Sequence, residues 1–134
     1  MKHSIPFTAG LLLAAILAAP ARAHHSFAMF DNSHLVTQTG TIKKVEWTNP
    51  HVWFWISVTR ADGSSEDWPL ESGGPSQMTR MGIPRELFKV GDRISFDCYP
   101  MRDGKPGGQF RHALLADGTK IDMGAAVARF AAGG

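Results

Sequence analysis

Cysteine is almost missing from this chain. Cys98 is the only one among 134 residues, so no intramolecular disulfide can form and stability must come from a packed core. In Ile94-Ser95-Phe96-Asp97-Cys98, alternation sets Cys98 on the face of Ile94 and Phe96. That position favours a buried, inert thiol over a reactive or copper-binding one. Long apolar runs are missing too: Ala9 to Ala19 is too short to cross a bilayer as a helix. Charge of one sign is not in excess either. Setting aside Lys2 and Arg22 balances the 14 basic side chains of the full chain against its 12 acidic ones. A chain so close to neutrality lacks the electrostatic footprint that nucleic acid requires, so that partner is excluded.

The motifs of common catalytic sites are absent as well. There is no Gly-x-Ser-x-Gly elbow, no His-Glu-x-x-His, no paired-cysteine zinc spacing and no Gly-Lys-Ser/Thr phosphate loop. Glu66, Asp67 and Glu71 are close in sequence, but alternation divides them between two faces. No acid and base geometry follows from them. The chain is not expected to be an enzyme.

What is present begins with an export signal. Lys2 and His3 form a short basic start, Ala9 to Ala19 the apolar segment, and Ala21-Arg22-Ala23 a small-x-small cleavage pattern. No twin-arginine pair precedes the apolar run and no lipid-anchor cysteine follows it. Residues 1–23 therefore read as a signal peptide for the general secretory route. Residues 24–123 read as one periplasmic domain without membrane insertion, and 124–134 as a flexible Ala/Gly-rich tail.

Within the domain, strand patterns dominate. Val36 to Trp47 is rich in Thr, Val and Ile, with Gly40 as a bend or bulge, and Lys43-Lys44 breaks strict alternation, which also suits a bulge. His51 to Thr59 is the clearest strand. Val52, Phe54, Ile56 and Val58 share one face, and His51, Trp53, Trp55 and Ser57 the other. Asp62-Gly63 turns into a third strand, Glu66 to Glu71, with Trp68 and Leu70 inward and Pro69 suggesting that part of it lies at an edge. Gly73-Gly74-Pro75 breaks the sheet, and Ser76 is a candidate cap for a short helix to Arg80, stopped by Gly82. Arg93 to Tyr99 and Gln109 to Leu115 are the last two strands, with a short extension at Lys120 to Met123. Three strands, one short helix and two strands is the order of a small all-β, OB-like five-stranded barrel.

Ala23-His24-His25-Ser26-Phe27, Trp47-Thr48-Asn49-Pro50-His51-Val52-Trp53, Gly73-Gly74-Pro75-Ser76 and Val90-Gly91-Asp92 follow one another in this chain. Together they resemble a family of short exported bacterial proteins known only as a domain of unknown function. The resemblance implies an exported β-domain and no catalytic residues. Gln77 departs from it, since an Asn-like residue nearer the glycines is expected there.

The sharpest chemistry lies at the mature start. Cleavage after Ala23 makes His24 the first residue, whose amine and imidazole can chelate one metal ion, with His25 and His51 completing a nitrogen-rich site. Such ligands suit Cu(II), which takes tetragonal N and O donors. Cleavage after Ala21 instead gives Arg22-Ala23-His24, whose third-position histidine also binds Cu(II). An exposed tail without a role is the competing reading. His34 and His112 read as surface residues. Met78, Met81 and Met101 suit Cu(I), but helical spacing favours the core for the first two.

Trp53 and Trp55 supply the second candidate. Two tryptophans on one outward face suit a metal-free adaptor or ligand-binding barrel that holds a periplasmic protein partner or an apolar small molecule. The alternative is that Phe27, Met29 and Phe30 fold over the rings.

Overall fold

The computed structural model describes residues 27–123. The expected signal peptide, His24, His25 and the tail at 124–134 lie outside the described residues. The strands are β1 (Val36–Trp47), β2 (Val52–Thr59), β3 (Ser65–Glu71), β4 (Arg93–Pro100), β5 (Gly108–Leu114) and β6 (Lys120–Asp122). One helix, α1 (Pro75–Arg80), and a 3-10 turn at Arg85–Leu87 connect β3 to β4.

Pairing closes the first five strands on themselves. The sheet order is β3-β2-β1-β4-β5-β6, and an additional parallel pairing of β3 with β5 seals the ring. This is the OB-like barrel expected from the order of elements. The long β1 makes it possible by serving two neighbours. Its first half pairs with β4 (Val36 opposite Cys98) and its second half with β2 (Trp47 opposite Val52). Gly40 sits where the two ladders overlap. A Cβ there would lie 2.5 Å from the Ser57 carbonyl oxygen and 2.6 Å from Ile56 Cγ2. Gly40 is therefore a close-approach corner, and the bulge falls instead between Ile42 and Lys44. The extra residue there, Lys43, lets Ile42 and Val45 both face inward.

Alternation fills the barrel. Val52, Phe54, Ile56 and Val58 from β2 are buried, as are Trp68 and Leu70 from β3, Ile94, Phe96 and Cys98 from β4, and Phe110 from β5. Phe54 meets Phe88 and Phe110 edge-on, at 5.0 and 5.1 Å between centroids. Each fully buried aromatic contributes about 2 kcal/mol or more. Against such terms the exposed ion pairs decide little.

One sequence expectation needs correction at the β3–β4 connection. Ser76 is not the helix cap: Gly74 occupies the N-cap and Pro75 the first turn. Proline suits that place because its missing N–H would have had no helical partner. The Gln77 side chain turns back, and its Oε1 accepts the Gly74 N–H at 3.0 Å. Pro69 marks, as expected, a strand that is an edge over part of its length. Leu70 and Glu71, just beyond it, pair with Gly108 and Gln109 of β5. Only the stretch before them leaves one side unpaired, which Pro69 tolerates.

Candidate functional site

The segments 47–53 and 73–76 meet in space. The Val52 N–H donates to the Gly73 carbonyl, and the Ser72 N–H to that of Val52, both at 3.0 Å. The two bonds carry the β2–β3 ladder on to the glycines. A Cβ on Gly74 would stand 2.6 Å from the Pro50 carbonyl oxygen. Only glycine lets the two turns touch this closely.

This seam positions His51. The preceding Asn49–Pro50 peptide is cis, and His51 enters β2 with its Nδ1 facing the Glu71 carboxylate. The imidazole is 32% exposed and the carboxylate 8%. Glu71 stands at an outward register position yet is buried, beside Gln109, its β5 partner, which is buried as well.

Beside the histidine lies a grid of outward side chains. Register sets Glu46, Trp53 and Glu71 in one row across β1, β2 and β3, and Lys44, Trp55 and Pro69 in the next. The tryptophan rings are 6.0 Å apart and tilted by 38°. The Lys44 ammonium lies 4.9 Å from the centre of the Trp55 ring and also pairs with Glu46. At the far end Lys43 bridges both oxygens of Asp67, at 2.8 and 3.0 Å.

Of the residues that could fold over the rings, the Phe27 side chain lies outside the described residues; Met29 is 45% exposed, and its carbonyl accepts the Arg102 N–H at 2.9 Å. Phe30 is buried where it bridges Met101, beyond the end of β4. Both tryptophans remain partly exposed.

Other sequence candidates fall into ordinary places. Cys98 is fully buried, and burial followed by the neighbouring Asp97 charge pushes its thiol up to about 12. Met78 is buried and its sulfur accepts the Ser72 hydroxyl at 3.0 Å. Met81 packs against the core. His34 is exposed beside Asp31, at 3.5 Å. His112 is more ordered than a free surface residue. Its Nδ1 lies 3.2 Å from Asp97, which also accepts the Thr37 hydroxyl at 2.6 Å.

Sequence reasoning missed Glu71 as the partner of His51. Alternation assigns Glu71 an outward face, but only the register reveals which histidine it meets. Among the described residues, no group of three or more His, Cys, Asp or Glu side chains converges as a metal site. No described helix is long and apolar enough to cross a membrane.

Comparison with curated proteins and with solved structures finds no match. A family model does match, over residues 12–111. The chain belongs to that family, the family of unknown function DUF6152.

Proposed function

We propose that this is an exported periplasmic domain that binds copper(II) through His24, His25 and His51. One observation supports the reading above the rest: the buried Glu71 carboxylate faces Nδ1 of a partly exposed histidine. A carboxylate at one ring nitrogen fixes the orientation of the imidazole and leaves Nε2 to donate to a metal. One such imidazole is too little for tight binding. The amine and ring of His24 and the ring of His25 would supply the further nitrogens that Cu(II) favours.

The test is a copper titration of protein recovered after native export, with its N-terminus fixed by intact mass. One-to-one binding that weakens at least a hundredfold in His51→Ala, and again when one residue precedes the native start, is the expected result. Binding indifferent to both changes refutes the proposal.

A further inference from the structure

The Trp53/Trp55 face calls for a ligand other than a metal ion, and its surroundings narrow the class. Tryptophan faces on the outside of an OB-like barrel stack against three kinds of partner: nucleobases, sugar rings and apolar side chains. The charges beside these rings discriminate among them. Lys43, Lys44, Glu46, Asp67 and Glu71 surround the pair, two cations against three carboxylates. Lys43 is engaged by Asp67 and Lys44 by Glu46. A phosphate backbone needs an uncompensated basic groove and would meet repulsion here.

The remaining features select between sugar and apolar peptide. The strip formed by Trp53, Trp55 and Pro69 is bordered by polar groups, Lys44 and Glu46 on β1 and, on β3, Glu71 with its partner His51 from the start of β2. A purely apolar occupant would strip water from those ion pairs and offer nothing in return. A pyranose instead presents C–H faces to the rings and hydroxyls to the border, where paired carboxylates accept and the ammonium donates. The 6.0 Å separation and 38° tilt of the rings suit consecutive units of a twisted oligomer better than one flat ring system.

We infer that the outer face of β1–β2–β3 is a binding site for a neutral oligosaccharide, with Trp53 and Trp55 as its stacking platform. The site needs neither His24 nor His25, and it shares only the His51–Glu71 pair with the copper reading.

The experiment is a titration of the mature chain with chitotetraose, cellotetraose and maltotetraose, followed by tryptophan fluorescence and calorimetry. An oligothymidylate and an apolar peptide serve as competitors. Saturable binding of at least one tetrasaccharide is expected, lost at least tenfold in Trp53→Ala and Trp55→Ala. Trp55→Phe retains part of it. Urea unfolding of each variant separates a lost site from a lost fold. Three outcomes overturn the assignment: no saturable binding of any sugar, equal binding by well-folded alanine variants, or stronger binding of the oligothymidylate or the peptide.

Discussion

Glu71 faces the Nδ1 atom of His51 across the β2–β3 seam, and the carboxylate is the more deeply buried of the two groups. Its Cα partner on β2 is Trp53, two residues beyond the histidine. One carboxylate thereby touches both candidate features, orienting the imidazole and bordering the tryptophan strip.

Replacing Glu71 with Gln keeps the shape and removes the charge. If copper binds through His51, the affinity of Glu71→Gln falls about 10- to 100-fold, the usual effect of losing an orienting carboxylate behind a metal-bound imidazole. The check is the same copper titration on natively exported protein. Unchanged affinity, with His51→Ala still defective, would assign the orientation of the ring to another group.

Gly108 closes the barrel, and a side chain there is expected to open it. It pairs with Leu70 across the parallel seam and with Pro100 on β4. A Cβ would press on the Tyr99 carbonyl and stand 2.9 Å from Cys98 Sγ. Neither backbone nor buried sulfur can yield, so Gly108→Ala costs about 3 kcal/mol. Gly104 is the control. Its φ of 76° favours glycine, but nothing lies within 4 Å of a Cβ, so Gly104→Ala costs about 1 kcal/mol of backbone strain. Urea unfolding of both variants decides whether the seam is as tight as this.

Cys98 is expected to be inert until the chain unfolds. Burial raises its thiol from an ordinary value of 9.0 to about 12. The folded protein therefore keeps the proton where the unfolded chain releases it. Fewer protons bound in the unfolded state means stability falls as pH rises, within the window from about 9 to 12. The native protein reacts slowly with iodoacetamide at pH 8, and urea restores full reactivity. Above pH 9, Cys98→Ala loses less stability than the parent. Rapid alkylation of the native state would contradict the buried assignment.

Side-chain alternation was sufficient for the strands and for the part of the core that they supply. It requires only that one face of each strand avoid water, so Val52, Phe54, Ile56 and Val58 could be assigned inward from their spacing. Glycine and proline marked the breaks for an equally local reason, since their backbone preferences do not depend on distant partners. The OB-like order followed from counting those elements. The cap at Gly74 was less legible, because Ser76 is a good capping residue in isolation, while the structure places Pro75 in the first turn and bonds Gln77 back to the Gly74 N–H.

The site itself needed the tertiary structure. Sequence spacing placed His51, Trp53 and Trp55 on one face, because they belong to one strand. It could not pair Glu71 with His51, Lys44 with Trp55, or Pro69 with the same ring. Those relationships depend on the register between strands, and β1 shifts its register by a bulge at Lys43. A slip of one residue in any ladder would have sent different side chains to the border. Local chemistry thus determined which residues face outward, while barrel closure decided which of them meet.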